Sequence, residues 1–392
     1  MSVHILTLNG GSSSIKFALF QAGPVLERLL SGHVDQIGSA NPHLDFTDHL
    51  TGKTEHRPLA VSGDSAIVQM LTQLLEGRID FGDIGGVGHR IVHGGSRYSE
   101  PQIITGDLLL YLDQITPYDP EHLETEIGLI RAIAQAYPRL LQVACFDTAF
   151  HQKMPQVAKI LPIPRRYFDQ GVRRYGFHGI SYSYLMGELQ RVDSEALTHS
   201  RVILAHLGNG ASMAAIRDGE SIDTSMGFTP TAGLVMGSRT GDLDPGLTAY
   251  LTRTEKMTPE QFYKMANFES GLLGVSETSS NMQELLEREN DDPRAAEAVA
   301  LFCYQAKKFI GAYAAALSGI DTLVFSGGIG ENAASIRFRT CAGLDHLGID
   351  LDENLNNANA PVISSTKSKV TVRVIKTDEE IQIANSVRSQ LK

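Results

Sequence analysis

The sequence predicts an α/β protein built from two related halves, on three observations. An apolar strand, a Gly/Ser-rich turn and a second strand open the chain, and the same order recurs near its middle. Each half later carries another strand that ends in glycines. Amphipathic helical stretches lie between and after these strands.

Residues 5–8 are apolar and extended. Asn9-Gly10-Gly11-Ser12-Ser13-Ser14 follows as a polar turn, and Ile15-Lys16-Phe17-Ala18-Leu19-Phe20 as a strand that Gly23-Pro24 ends. In the middle, Val202-Ile203-Leu204-Ala205-His206-Leu207 leads into Gly208-Asn209-Gly210-Ala211-Ser212. Met213-Ala214-Ala215-Ile216 then reaches the turn Arg217-Asp218-Gly219. Laid over the first copy, Leu207 falls on Leu8, Gly210 on Gly11 and Ser212 on Ser13. The later strands are Ile84-Gly85-Gly86-Val87-Gly88-His89-Arg90, running into Val92-His93-Gly94-Gly95, and Thr322-Leu323-Val324-Phe325, running into Ser326-Gly327-Gly328-Ile329-Gly330-Glu331-Asn332. Helical patterns lie at 65–75, 123–136, 181–190, 259–266, 295–317 and 379–387, with a further helix after Asn332. A domain boundary is expected near residue 148: residues 1–148, completed by the helix at 379–392, and residues 149–378.

The 392 residues suit about two domains. A hydrophobic content of 42% and a charged content of 20% describe a soluble globular chain. The net charge of −11 argues against general nucleic-acid binding and leaves room for small anions held by local arginines. Cys145, Cys303 and Cys341 are odd in number and lack metal-ligand spacing, which reads as buried free thiols in a reducing compartment. Met1-Ser2-Val3-His4 shows no basic n-region and no cleavage site, and the apolar stretch 295–317 carries Glu297, Lys307 and Lys308. A cytoplasmic protein with neither signal peptide nor membrane span is expected.

No GxxxxGK[ST], GxGxxG with a following acid, HExxH or paired-cysteine motif is present. The turn 9–14, with Lys16 two residues on, reads either as a phosphate cradle or as a plain hairpin turn. The turn at 207–212 reads as a phosphate cradle from the other half, and 327–332, after a strand, as a seat for an adenosine or its phosphates. Arg90 and Arg239 stand beside glycines, as clamps on phosphate or carboxylate or as surface ion pairs. His178 and His206 are catalytic or structural candidates. Asp147, after an apolar run, is a catalytic or metal candidate or a helix cap. Together these parts are the equipment of phosphoryl transfer, where positioning and charge stabilisation dominate.

At these residues the chain resembles the acetate kinase family, nearly end to end. The likeness rests on 9–16, 88–95, Phe146-Asp147-Thr148-Ala149-Phe150-His151, Arg174-Tyr175-Gly176-Phe177-His178-Gly179, 206–210, 225–230 through 241–246, 327–332 and Thr377-Asp378-Glu379-Glu380. The resemblance implies two duplicated ribonuclease H-like domains of the actin/Hsp70 and sugar kinase type, with an active-site cleft between them. It implies ATP, Mg²⁺ with Mn²⁺ as a substitute, a short carboxylate such as acetate (alternatively propionate), and a homodimer. By matching positions, Asn9 and Glu379 would hold the metal and Asp147 would be the catalytic aspartate. Arg90 would hold the substrate carboxylate. Arg239 and His178 would stabilise the transferring phosphoryl group. Lys16, His206, Leu207, Gly208, Asn209, Gly210, Gly328, Ile329, Gly330, Glu331 and Asn332 would contact ATP. Val92, Phe177 and Pro230 would line the acyl pocket. A carboxylate acceptor is already ionised at pH 7, so Asp147 is read as an orienting or metal-partner group.

Two segments depart from the family pattern. Pro117-Tyr118-Asp119-Pro120-Glu121-His122 replaces the usual Pro-Leu-His-Asn-Pro, so His122 receives no catalytic role and acetate against propionate stays open. Asn281-Met282-Gln283 replaces an acidic and basic pair near the adenosine site, leaving ATP against GTP open.

Overall fold

The structure, a computed structural model, describes residues 3–11, 14–35, 42–59, 63–75, 79, 81–194, 198 and 200–391. Ser12 and Ser13 of the first Gly/Ser turn lie outside them. The chain divides into two compact units, Met1–Ala149 with Asp378–Lys392, and Phe150–Thr377.

The first unit is built on β1 (His4–Gly10), β2 (Ile15–Gln21), β3 (Glu27–Asp35), β4 (His43–Asp48), β5 (Lys53–Pro58), β6 (Ile84–Ile91), β7 (Gln102–Ile103) and β8 (Leu141–Phe146). Their order in the sheet is β5-β4-β3-β2-β1-β6-β8-β7. β1–β6 and β6–β8 pair in parallel, and the remaining pairs are antiparallel. The helix Asp64–Leu75 buries Ile67, Val68, Leu71, Leu74 and Leu75, a helical spacing that lays one apolar face on the sheet core. The helix Pro120–Ala136 begins at Asp119, whose side chain accepts from the His122 N–H, with proline at its first position.

The C-terminal helix Glu379–Gln390 is capped by Asp378, which also takes two hydrogen bonds from Arg28 at 2.5 and 2.6 Å. It packs against β1 and β6. Close approach there needs glycine: a Cβ at Gly88 would lie 2.4 Å from Ile383 Cγ2 and 2.7 Å from Val387 Cγ2.

The second unit holds β9 (Arg201–Leu207), β10 (Ala211–Arg217), β11 (Glu220–Thr224), β12 (Thr322–Ser326) and β13 (Thr371–Val374), in the order β11-β10-β9-β12-β13. β9 is antiparallel to β10 and parallel to β12, and β12 is parallel to β13. The run β3-β2-β1-β6-β8 of the first sheet has the same order and the same directions. The duplication is therefore a property of strand topology as well as of turn sequence. Val202, Leu204, Ala214, Ile216 and Val324 share one face with Tyr182, Leu185, Met186 and Leu189 of the helix Gly179–Val192. Ile203, Ala205, Met213 and Ala215 on the opposite face are equally buried, and the helix Pro293–Leu317 packs against β9 and β10. That helix stops at Ser318 and Gly319, both at positive φ.

The segment Gly327–Asn332, read from its glycines as a turn, is a short helix starting directly at the end of β12. The Glu331 carboxylate accepts from the Gly327 N–H at 2.9 Å and holds that first turn. The three cysteines are free and buried, and burial pushes the Cys145 and Cys341 thiols up to about 12. Among the described residues, no helix is long and apolar enough to cross a membrane.

Candidate active site

In the first unit, the parallel pairing of β6 and β8 sets Arg90 opposite Cys145, and Asp147 follows two residues later. The Asp147 N–H donates to the Ile91 carbonyl at 2.9 Å, which fixes the carboxylate beside the guanidinium. Arg90 Nε and Nη2 donate to Asp147 Oδ2 at 3.0 and 2.6 Å, and Nη1 donates to the Gly10 carbonyl at 3.1 Å. Asp147 does not serve as a helix cap: Oδ2 is engaged by Arg90, and buried Oδ1 has no hydrogen-bond partner. The Asn9 Nδ2 donates to Glu379 Oε2 at 2.8 Å. Lys16 sits directly across from Asn9 on the neighbouring strand, with an exposed side chain. Val92, two residues after Arg90, is buried.

Burial works against the Arg90 charge, but the Asp147, Glu126 and Glu379 carboxylates outweigh it and raise its pKa. Glu379 is raised as well, first by burial and then by repulsion from Asp147, against the pull of Arg90, Lys16 and the Asn9 hydrogen bond. Three carboxylates and the Gly10 carbonyl oxygen thus surround one arginine.

Glu126 completes this group and sequence reasoning missed it. Its carboxylate accepts the Val92 N–H at 2.9 and 3.2 Å and lies 3.5 Å from Arg90 Nη1. Burial pushes its pKa up to about 8, against Arg90 and the Val92 hydrogen bond. The available signal was a carboxylate on the buried stripe Leu123, Ile127, Ile130, Ile133 of an amphipathic helix.

In the second unit, β9 and β12 run in parallel with His206 opposite Ser326, so the segments 206–210 and 326–332 emerge side by side. A Cβ at Gly327, where φ is +75°, would lie 2.7 Å from the Leu207 carbonyl oxygen. A Cβ at Gly208 would lie 3.8 Å from the Gly328 nitrogen. The Gly237 N–H donates to the Asn209 carbonyl at 2.9 Å and ties the loop of Arg239 to the same place. A Cβ at Gly210 would stand 3.3 Å from His178 Nε2 and 3.8 Å from Arg239 Nη1, so both side chains border that glycine.

His178 precedes the helix Gly179–Val192 in the left-handed region, at φ 57°. Its Nδ1 pairs with Ser212 Oγ at 2.9 Å, and its ring stacks on His206 at 4.4 Å. His206 Nδ1 in turn meets Ser181 Oγ at 2.8 Å. Arg239 Nη1 donates to the Pro230 carbonyl at 3.3 Å. Glu331 accepts from the N–H groups of Gly327 and Thr377, and Asn332 Nδ2 donates to the Gly328 carbonyl, so both shape their own segment. Ile329 lies within that same short helix. The buried Phe177 presents its carbonyl to His151 Nε2 at 3.1 Å.

The two departing segments also have local occupations. His122 Nδ1 lies 2.8 Å from Asp119 Oδ1, which is the cap of its own helix. Asn281 caps the helix Met282–Arg288 by accepting from Gln283 and Glu284.

The profile of the acetokinase family matches residues 4–385. A protein named acetate kinase from Rhodopseudomonas palustris (strain TIE-1) is 43% identical over 394 residues, covering 99% of this chain and 98% of that one. A propionate kinase of Salmonella typhimurium (strain LT2) is 40% identical over 391 residues, covering 99% and 96%. Among solved structures, acetate kinase from Porphyromonas gingivalis superposes with a TM-score of 0.90 at 36% identity, covering 100% of both chains. A propionate kinase from Francisella tularensis superposes with a TM-score of 0.92 at 36% identity, covering 98% of both. On this whole-chain agreement in sequence and fold, the chain belongs to the acetokinase family.

Proposed function

We propose that the protein is an acetate kinase: it transfers the γ-phosphoryl group of ATP to acetate, reversibly, giving acetyl phosphate and ADP. Relatives named acetate kinase, at 43% identity, and propionate kinase, at 40%, both span this chain. The observation that carries the site assignment is Asp147 Oδ1, a buried carboxylate oxygen with no hydrogen-bond partner beside Arg90.

The acceptor needs no general base, because a carboxylic acid is ionised at neutral pH. One acetate oxygen attacks the γ-phosphorus in line, and the bond from that phosphorus to the bridging oxygen of ADP breaks. Arg90 is anchored by Asp147 and Gly10, and its guanidinium retains N–H capacity on Nη2 for the acceptor carboxylate. Arg239 and His178 answer charge that develops on the phosphoryl oxygens. Lys16, the 206–210 turn and the helix Gly327–Asn332 hold the nucleotide. Val92, Phe177 and Pro230 bound the acyl methyl.

Asp147, Glu379 and Asn9 offer hard oxygen donors, and the mutual repulsion of the two carboxylates suits a dication, so this set fits Mg²⁺ or Mn²⁺. Such an ion supplies charge neutralisation on phosphate oxygens. We further assign the protein to the cytoplasm and to homodimers, the latter checked by its mass in solution.

Hydroxylamine trapping of acyl phosphate, run with formate through butyrate, tests the reading. Acetate should give the highest kcat/KM, with propionate within the ~1–3 kcal/mol that one methylene is worth. A propionate optimum would move the assignment to propionate kinase, and no acyl phosphate from any acid would end it.

A further inference from the structure

The outer strands of the first sheet carry a second group of chemistry-bearing side chains, which begins at His33, opposite Lys16 of β2. Val34, Leu44 and Phe46 turn into the core. The alternate residues His33 and Asp35 of β3, and His43 and Asp45 of β4, therefore share the other face. The register sets His33 opposite Asp45 and Asp35 opposite His43, and β5 brings His56 opposite Asp45. One nitrogen each from His33 and His43 and one oxygen from Asp35 lie within 4.8 Å of one another.

We propose that His33, Asp35 and His43 bind a borderline divalent transition ion of the zinc class. Two imidazoles and a carboxylate are an ordinary three-ligand set for such an ion, with water as the fourth ligand. Ligands around a tetrahedral ion stand roughly 3.3–3.4 Å apart, given metal–ligand bonds of ~2.0–2.1 Å. The three atoms here lie within 4.8 Å of one another, and χ rotations on side chains that line solvent draw them in by at most about 1.5 Å.

Asp45 supplies the supporting contacts. Its Oδ2 lies 3.3 Å from His33 Nε2 and 3.6 Å from His43 Nε2, while its Oδ1 pairs with His56 Nδ1. A carboxylate that accepts from one imidazole nitrogen leaves the other to coordinate. The ion would clip β3 to β4, one strand in from the edge strand β5. Magnesium is a poor competitor, because nitrogen ligands suit zinc, copper and nickel and Mg²⁺ prefers oxygen.

The full-length protein, stripped of metal and returned to excess Mg²⁺, is titrated with Zn²⁺ against a chromogenic chelator. Co²⁺ is used in parallel for its visible d–d absorption. One equivalent per chain is expected, with at least ~tenfold weaker binding in His33→Ala, His43→Ala or Asp35→Asn. The His33→Ala/His43→Ala double variant should bind none, and His49→Ala, a neighbour bonded to Ser31, should bind as the wild type does. Zn²⁺ should raise the Tm of the wild type and leave that of the double variant unchanged. An unaltered far-UV circular dichroism spectrum and an unaltered metal-free Tm in every variant report an intact fold. A wild type that takes up no Zn²⁺ under Mg²⁺, or a double variant that binds it equally, overturns the proposal and leaves the cluster an ion-pair network around Asp45.

Discussion

Arg90 and Asp147 leave neighbouring parallel strands side by side, and the Arg90 Nη2 donates to Asp147 Oδ2 at 2.6 Å. Both groups are largely withdrawn from solvent, with side-chain exposures of 14% and 1%. One oxygen of the aspartate holds the arginine, and the other, Oδ1, is buried without a hydrogen-bond partner.

Asp147→Asn keeps the shape and removes the charge. We expect kcat to fall by about 10²–10³, the usual cost of losing one preorganised electrostatic group, together with a higher Mg²⁺ requirement. Steady-state kinetics over a Mg²⁺ series checks this. Arg90→Ala should raise the KM for acetate as well as lower kcat, since it removes the acceptor's anchor.

His89 and His151 are buried and both are pushed down to about 4, burial being the first cause. His151 donates from Nε2 to the Phe177 carbonyl and accepts the Ser221 hydroxyl at Nδ1, so its neutral form fits the site. With folded pKa values below the unfolded ~6.5, the unfolded chain binds more protons. Stability is therefore full above pH ~6.5 and falls as pH drops toward ~4, by on the order of 3 kcal/mol per histidine. Denaturant melts between pH 7 and 4 should show this loss, and His151→Asn should lessen the slope.

Glu126 acts in the opposite direction. Its folded pKa of about 8 lies above the ordinary value of 4.5, with burial the main cause. The folded state holds the proton more tightly, so this group's stabilisation is complete below pH ~4.5 and is lost as pH rises through ~8. Glu126→Gln should flatten stability between pH 5 and 8, read in the same melts. It should also leave the Val92 N–H with an acceptor, whereas Glu126→Ala strands it.

Gly88 has no room for a side chain against Ile383 and Val387. Gly88→Val should lower Tm through overpacking of about 1–3 kcal/mol. It should also displace the helix that begins at Glu379, so half-saturation by Mg²⁺ should rise more than the KM for ATP.

How much of this the sequence disclosed depended on burial. β1, β2, β6, β8, β9, β10 and β12 read as apolar runs because they are buried, several on both faces. β3, β4 and β5 escaped notice: Lys53–Pro58 is almost wholly exposed, and the other two carry polar residues on one face. The helix Gly327–Asn332 looked like a turn because glycines dominate it, and a side chain five residues after β12, Glu331, supplies the stabilising contact. Arg90, Asp147, Asn9 and Glu379 were each visible as motif residues. Their convergence was legible only through the family resemblance, because Asn9 and Glu379 meet from opposite ends of the chain through helix–sheet packing. Glu126 kept the helical period and so looked like one more buried position.

The central claim is that the acetate carboxylate oxygen forms the new bond to the transferred phosphorus, steadied by the Arg90–Asp147 pair. Acetate labelled with ¹⁸O, turned over with ATP and Mg²⁺ and followed by ³¹P NMR, tests it most directly. The account predicts acetyl phosphate with one ¹⁸O bonded to phosphorus in the wild type, and its formation strongly slowed in Asp147→Asn. Unlabelled phosphorus in the product, or undiminished turnover in that variant, would contradict it.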